Sequence, residues 1–170
     1  MSAAGVEVFV GLGSNLEGPE QQVRQALAEL DELPGAQLIR HSRLYRSAPL
    51  GPADQPDYVN AVALLKTTQD ADGLLDQLQG LERQHGRVRG NHWGPRTLDL
   101  DILLFGSVRI DTPRLQVPHP QLHRRAFVVV PLHEIAPGLD LPGLGPLQGF
   151  LPMGAVHGLR PLPLLGPQDE

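Results

Sequence analysis

The sequence predicts an α+β fold in which an antiparallel sheet carries helices packed on one face. One observation is that short runs of alternating or β-branched residues, typical of strands, are interleaved with two segments whose leucines recur at helical spacing. Another is the order of these segments: strand, helix, strand, strand, helix, strand. At 170 residues the chain has the size of an ordinary domain, and we expect residues 1–170 to form one domain.

The first strand is predicted at residues 7–12, where β-branched and aromatic side chains are frequent. It runs into the sequence GLGSN at residues 11–15, which we interpret as a tight turn after the strand. Pro19 stands where the first turn of a helix tolerates proline. Apolar residues then recur at helical spacing, so residues 19–33 are predicted to form an amphipathic helix that ends at Pro34-Gly35.

Two further strands are predicted next. Residues 38–46 are expected to form a strand with mixed faces, followed by a proline-rich loop. Residues 58–66 alternate between two sets of side chains, as in a strand. This alternation places Tyr58 and Asn60 side by side on one face.

The second helix is predicted to begin after Asp70, which is a suitable N-cap, and to stop at Gly86. A polar loop is expected at residues 87–96. The strand LDLDILLF follows at residues 98–105. We expect Gly106-Ser107 to turn it into a hairpin with the residues that come next, 108–110.

The last third of the chain contains a mostly apolar run at residues 122–135, which is predicted to be helical near its end. Between Pro137 and Pro167 there are seven prolines and seven glycines. This composition excludes long regular elements, so residues 136–170 are expected to be an irregular cover or tail. The core elements together have the ferredoxin-like order βαββαβ.

The composition argues against several classes of function. The net charge of −5 and the aromatic content of 4% disfavour a nucleic-acid-binding sheet, which would be basic and carry surface aromatics. No apolar run approaches the length of about 20 residues that a membrane helix needs. The chain has no cysteine, and its first residues lack the basic and apolar parts of a secretory signal, so we expect a cytoplasmic protein. All of its cations but Lys66 are arginines, a bias that suits phosphate contacts or simply reflects genome composition.

Two aspartates stand out in the strand at residues 98–105. Alternation puts Asp99 and Asp101 on one face and the apolar residues Leu98, Leu100 and Ile102 on the other. Two carboxylates this close repel each other unless a cation compensates them. They could form a solvated acidic edge paired with an upstream arginine, or they could hold Mg²⁺, which binds carboxylates together with substrate phosphates.

The polar loop before this strand, residues 87–96, favours the second interpretation. It contains Arg87, Arg89 and Arg96, together with His92 and Trp93. A metal pair beside arginines and an aromatic ring is suited to phosphoryl chemistry on a nucleotide.

Other polar residues each allow two interpretations. The glycines of GLGSN lack the lysine of a P-loop and the spacing of a dinucleotide-binding turn. Tyr58 and Asn60 could pack in the sheet or bind a flat heterocycle, and His119 between two prolines could contact phosphate or decorate the surface. Arg114, Arg124 and Arg125 could be solvated surface charges or could belong to a site. Glu82 could pair with a nearby arginine or could belong to a site.

Together these segments resemble one family closely, the 6-hydroxymethyl-7,8-dihydropterin pyrophosphokinases of folate biosynthesis. The matching segments are GLGSN at 11–15, SAPLGPADQPDYVNAV at 47–62, WGPRTLDLDILLFG at 93–106 and VPHPQLHRRAFVVVPLHEIAP at 117–137. They cover most of the chain in the family's order. The R-x-x-D-x-D strand combined with the QPDYxNA segment is highly specific, whereas the glycine turn is not.

The resemblance implies that the terminal diphosphate of ATP is transferred to the pterin's hydroxymethyl oxygen, with release of AMP. It implies that Asp99 and Asp101 hold two Mg²⁺ ions and act catalytically with Arg87 and Arg96. The residues implied to bind the pterin are Ser47, Leu50, Tyr58, Asn60, Trp93 and Phe127, with the ring between Trp93 and Phe127. The residues implied to bind ATP are Gln79, Glu82, Arg87, Arg89, Trp93, Arg96, Ile102, Arg114, His119 and Arg125.

The sequence contains no obvious general base, so we infer that positioning and metal charge drive the reaction. It departs from the family pattern in a loop before Trp93 that is one residue shorter, and at Ala48, His92, Gln116 and Pro120. A nucleotide-binding protein without turnover and a different Mg²⁺-dependent phosphotransferase are the competing interpretations. Nothing in the sequence requires more than a monomer.

Overall fold

The computed structural model of the chain describes residues 5–15, 18–47, 58–86, 98–152 and 159–162. The helices are α1 (Pro19–Leu30), α2 (Ala71–Gln84) and α3 (Ala126–Ile135). The strands are β1 (Val6–Ser14), β2 (Ala36–His41), β3 (Tyr45–Ser47), β4 (Tyr58–Thr67), β5 (Asp99–Phe105), β6 (Ile110–Asp111), β7 (Gln116–Val117), β8 (Asp140–Leu141), β9 (Gly145–Pro146) and β10 (Arg160–Pro161). Short 3-10 turns lie at Leu122–Arg124 and Leu147–Phe150.

The main sheet is antiparallel and has the order β10-β3-β4-β1-β5, with β2 also paired to β4. The two longest strands, β1 and β4, lie next to each other and are paired from Val6 opposite Thr67 to Ser14 opposite Val59. Strand β5 lies at the end of this order and takes its hydrogen bonds from β1. The helix-and-strand order confirms the predicted ferredoxin-like core.

Each face of the sheet has its own hydrophobic core. On the first face, Ala61 and Leu65 of β4 belong to a cluster with residues of α1 and α2 such as Leu78. On the second face, Leu64 of β4 belongs to a cluster with α3, including Leu132. Burying a leucine side chain contributes about 1.5–3 kcal/mol. The predicted helices α1 and α2 therefore cover one face, and α3 with the short elements after it covers the other.

The predicted helix boundaries are close to those observed. The carboxylate of Asp70 accepts a hydrogen bond from the Gly73 N–H at 2.7 Å, which confirms it as the N-cap of α2. Gly86 follows this helix with a φ of +84°, a conformation that glycine adopts without strain. Helix α1 ends at Leu30 rather than at Leu33, although Leu33 still packs against the first core.

Three strand predictions are wrong. The strand expected at residues 7–12 does not end in a tight turn at 11–15, because β1 continues through both glycines to Ser14 and stays paired with β4. The expected strand 38–46 is two strands, β2 and β3, because Ser42 interrupts it: its backbone N–H donates to the Val62 carbonyl, and its hydroxyl accepts from the Val62 N–H. The expected hairpin of residues 108–110 with β5 does not form. Gly106 has a φ of +56° and turns the chain away, so Ile110 pairs with Val117 of β7 instead.

None of the helices within the described ranges is long and apolar enough to cross a membrane.

Candidate active site

The two aspartates of β5 lie opposite the two glycines of β1. Asp99 is in register with Gly13, and Asp101 is in register with Gly11. Directly opposed residues of an antiparallel pair point to the same face, so each carboxylate faces a position without a side chain. The apolar residues of β5 that alternate with the aspartates, including Leu100, lie in the first core. The predicted division of this strand into a core face and a polar face is thus observed.

The same polar face continues across the sheet to β4 and β3. Asn60 is in register with Gly13 on one side and with Tyr45 on the other, and it is buried. Its side chain donates to the Leu12 carbonyl and accepts from the Ser47 hydroxyl, both at 3.5 Å. Ser47 is in turn opposite Tyr58. Three residues expected to bind the pterin therefore meet at one end of the sheet.

Phe127, a fourth residue expected at the pterin, lies in the first turn of α3 and is half-buried. The Arg125 guanidinium lies over its ring, 5.7 Å from the centroid, within the range of a cation–π contact. Arg125 is also the N-cap residue of α3. One contact thus joins a residue expected at the pterin to one expected at ATP.

A cavity of about 500 Å³ opens beside the β5 edge, between α2 and residues 112–120. Its walls include the side chains of six residues that were expected to bind ATP or metal, namely Gln79, Glu82, Asp101, Ile102, Arg114 and His119. Thr112 and Gln116 also line it and were not expected as site residues. The structure therefore brings together residues that lie up to 40 positions apart along the chain.

Glu82 connects this cavity to the strand that bears the aspartates. It is 3% exposed, and its carboxylate accepts a hydrogen bond from the Leu100 N–H at 2.8 Å. Leu100 lies between Asp99 and Asp101. This hydrogen bond from the strand backbone to a helix side chain fixes the edge strand at the position between its two aspartates.

Arg114 reaches the cavity from the segment before β7. Its guanidinium forms an ion pair with Asp76 of α2, and its Nη1 lies 3.8 Å from Oδ1 of Asp72 on the same helix. Neither aspartate was expected to matter from the sequence. They lie one turn apart on α2, four residues apart along the chain, which is a spacing that places both on one side of a helix.

His119 is held by both its backbone and its ring. Its backbone N–H donates to the Leu103 carbonyl at 3.0 Å, and its Nδ1 accepts from the Gln121 N–H at 3.1 Å. Burial lowers the pKa of the imidazole below its ordinary value of 6.5, the Asp101 carboxylate opposes this shift, and Arg125 adds to it. The neutral ring with Nδ1 as acceptor carries its proton on Nε2, which is a hydrogen-bond donor suited to a phosphate oxygen.

The family model described as 7,8-dihydro-6-hydroxymethylpterin-pyrophosphokinase (HPPK) matches residues 9–137. The chain belongs to this family. The match contains the two glycines of β1, the aspartate pair, the cavity and Phe127.

Curated relatives agree with this assignment and confirm the resemblance seen in the motifs. The chain is 51% identical over 156 residues to a 2-amino-4-hydroxy-6-hydroxymethyldihydropteridine pyrophosphokinase of Pseudomonas aeruginosa, covering 92% of this chain and 96% of the relative. It is 50% identical over 137 residues to the protein of the same name from Haemophilus influenzae, covering 81% of this chain and 86% of the relative.

Solved structures share the fold at low sequence identity. A Plasmodium falciparum HPPK-DHPS structure with pteroate superposes with a TM-score of 0.70 at 13% identity. It covers 88% of this chain, which spans only 42% of the longer Plasmodium chain. An HPPK-DHPS structure in complex with substrates gives a TM-score of 0.68 at 11% identity, again with 87% of this chain and 43% of the other. These likenesses confirm the predicted fold of the HPPK domain.

Several expected HPPK site residues lie outside the described residues. They are Leu50, Arg87, Arg89, Trp93 and Arg96. Arg124, for which the sequence left both interpretations open, is exposed beside α3.

The donor set at β5 fits Mg²⁺. Asp99 is half-buried and Asp101 is exposed, so both carboxylates border solvent from the same side of an edge strand. In the part of the chain that the structure describes, no group of three or more His, Asp or Glu side chains could enclose a metal. A pair of carboxylates leaves coordination positions for phosphate and water, which is the arrangement Mg²⁺ commonly has in nucleotide sites.

Proposed function

We propose that the β5 edge is where this chain transfers the terminal diphosphate of ATP to 6-hydroxymethyl-7,8-dihydropterin. This transfer, with release of AMP, is the reaction of the HPPK family to which the chain belongs. The hydroxymethyl oxygen forms a bond to the β-phosphorus, the bond between that phosphorus and the α,β-bridging oxygen breaks, and the hydroxyl proton is lost. The observation that carries the proposal is the meeting of the aspartate-bearing edge strand with the cavity that contains Arg114 and His119.

ATP is proposed to occupy the cavity between α2 and residues 112–120. Its volume of about 500 Å³ is in the range of small-molecule sites, and its walls combine apolar side chains such as Ile102 with polar ones such as Gln79. Arg114 offers planar N–H donors and His119 offers its Nε2–H. Both types of donor suit phosphate oxygens. Arg125, and Arg89 outside the described residues, complete the proposed ATP side.

The pterin is proposed to bind at the end of the sheet where Ser47, Tyr58 and Asn60 meet. A flat heterocycle with several nitrogen and oxygen atoms needs donors and acceptors in its plane, which an amide and hydroxyls provide. Phe127 is proposed to stack on one side of the ring, and Trp93 on the other, with Leu50 beside it. This site lies on the same sheet face as Asp99, because Gly13 of β1 is paired with Asn60 on one side and with Asp99 on the other.

Asp99 and Asp101 are proposed to hold Mg²⁺, two ions in total. When bound, Mg²⁺ would offset the charge of the triphosphate and polarise the transferred group. The chain's own contribution is to hold its groups in place, since Glu82 fixes the Leu100 backbone between the two aspartates. Arg87 and Arg96 are proposed to stabilise negative charge that develops during transfer. No side chain is assigned as a general base, so the rate is proposed to come mainly from positioning and charge.

We also propose that residues 1–170 act as one domain and as a monomer in the cytoplasm. The net charge of −5 supports a protein that binds neither nucleic acid nor acidic membrane surfaces. A chain without cysteine has no disulfides that an oxidising compartment would supply.

The proposal is tested by measuring AMP formation from ATP, with and without the pterin and with and without Mg²⁺. Wild type should form AMP only when both are present. The double variant Asp99→Asn, Asp101→Asn should lose about a hundredfold or more of this activity, since it removes charge stabilisation at the reacting phosphates. Asp140→Asn, which removes one exposed carboxylate from β8, is the matched control and should remain active.

Unchanged AMP formation in the double variant would refute the metal assignment. AMP formation that does not depend on the pterin would refute the acceptor, and ATP binding without any AMP would indicate a nucleotide-binding protein without turnover.

A further inference from the structure

The ion pairs of Arg114 connect the proposed ATP cavity to the outer side of α2. Arg114 lines the cavity, whereas its partners Asp72 and Asp76 are not among the residues of the cavity wall. The two aspartate side chains are 67% exposed, and the arginine side chain is 42% exposed. The aspartates therefore bind the guanidinium from outside the space that a ligand would fill.

This arrangement leaves the guanidinium able to bind a second anion. A guanidinium has five N–H donors, and the contacts to the aspartates involve Nη2 toward Asp76 and Nη1 toward Asp72. The remaining donors stay available. A long arginine side chain is otherwise free to adopt many rotamers, and restricting it before the ligand arrives lowers the entropy lost on binding.

Repulsion between the two aspartates also favours their ion pairs with Arg114. They are four residues apart on α2, so their like charges repel each other. Arg114 compensates this repulsion. Because Arg114 already lines the cavity while it is paired, ligand binding does not require the ion pair to break.

We propose that Asp76, assisted by Asp72, is a positioning residue that presents Arg114 to ATP. This inference rests on the proposed function, because it takes the cavity to be the ATP site. It assigns Asp76 no contact with the nucleotide. The ion pair acts only through the arginine, and Asp72 contributes less because its oxygen is 3.8 Å from the guanidinium.

The test measures the Kd for ATP with Mg²⁺ in the absence of the pterin, together with kcat at saturating substrates. Asp76→Asn should raise the Kd about twofold to fivefold, the range expected for an exposed ion pair, and should leave kcat unchanged. Asp72→Asn should have a smaller effect. Asp76→Glu, which restores the charge, should bind ATP about as well as wild type.

The matched control is Glu32→Gln, which removes one exposed carboxylate after α1 and should leave the Kd unchanged. The midpoints of thermal unfolding of the aspartate variants and the control should agree within about 2 °C, because exposed substitutions rarely change stability much. Arg114→Ala should raise the Kd more than Asp76→Asn does. Adding Asp76→Asn to Arg114→Ala should cause no further rise, since the aspartate acts through the arginine.

Three results would overturn the inference while leaving the proposed function intact. One is a Kd for Asp76→Asn equal to that of Glu32→Gln while Arg114→Ala still weakens ATP binding. Another is tighter binding by Asp76→Asn, which would mean that the carboxylate competes with ATP for the arginine. The third is an equal rise in Kd with and without Arg114. If Arg114→Ala itself left ATP binding unchanged, the proposed ATP site would fail and the inference with it.

Discussion

Replacing Glu82 by alanine should weaken the fold and the ATP site together. The carboxylate is 3% exposed and accepts the Leu100 N–H at 2.8 Å. Removing the acceptor of a buried hydrogen bond costs about 1–3 kcal/mol, because the N–H is left without that acceptor. Water from the cavity could replace part of this bond, because Glu82 also lines the cavity. We therefore expect Glu82→Ala to lower the free energy of unfolding by about 1.5–2 kcal/mol, below the upper end of this range.

Urea unfolding at pH 7 measures this change, with Glu32→Ala as the control for the loss of an exposed glutamate. Glu82→Gln keeps an acceptor for Leu100 and should lose only about 1 kcal/mol. Glu82→Ala should also raise the Kd for ATP, since the strand segment next to Asp101 is no longer fixed. A stability for Glu82→Ala within about 0.5 kcal/mol of that of Glu32→Ala would show that the hydrogen bond does not anchor the strand.

Three further predictions address the other parts of the site. Gly13→Ala would place a methyl group 2.8 Å from Nδ2 of Asn60 and should raise the KM for the pterin about tenfold or more. Gly11→Ala is the control, because its methyl group makes only an ordinary contact with Leu103. Equal KM values for the two variants would contradict the pterin assignment. The pKa of His119 is lowered in the folded chain, so below pH 6.5 the unfolded chain binds a proton that the folded chain does not. The free energy of unfolding in Mg²⁺-free buffer should therefore decrease as the pH is lowered. His119→Gln should reduce this slope, and an unchanged slope in urea unfolding between pH 7 and 5 would count against it. Trp93 is the single tryptophan, so its fluorescence should change on pterin binding, and constant emission at saturating pterin would exclude the stacked ring.

The division of β5 into two faces could be predicted from the sequence because strand alternation is a local property. Leu98 and Leu100 entered the first core, and the aspartates took the opposite face, as the period of two requires. The cap at Asp70 was predictable for the same reason: its partner, the Gly73 N–H, lies within one turn.

The role of the glycines in GLGSN was missed because a glycine pair predicts a turn in isolation. In the structure both glycines lie inside β1, opposite the two aspartates. A signal was present in the sequence, since two glycines two residues apart in one strand match two aspartates two residues apart in another. Only the register between the strands shows that the pairs face each other.

Long-range contacts account for the rest. The pairing of Arg114 with Asp76 joins residues 38 positions apart, and nothing local indicates it. The hairpin after β5 failed because Gly106-Ser107 is compatible with more than one turn, and the pairing of Ile110 with Val117 decides between them. Leu64, an apolar residue on the same face as Asn60, indicated that this face is also covered. The helix that covers it, α3, lies too far along the chain to be assigned from the local sequence.

The proposed diphosphate transfer is best tested by identifying the products of the reaction. With ATP, the hydroxymethyl-dihydropterin and Mg²⁺, phosphorus NMR of the quenched mixture distinguishes transfer of a diphosphate from transfer of a single phosphate. One AMP should form for each pterin diphosphate, with no ADP. Formation of ADP and a pterin monophosphate would contradict the proposed diphosphate transfer.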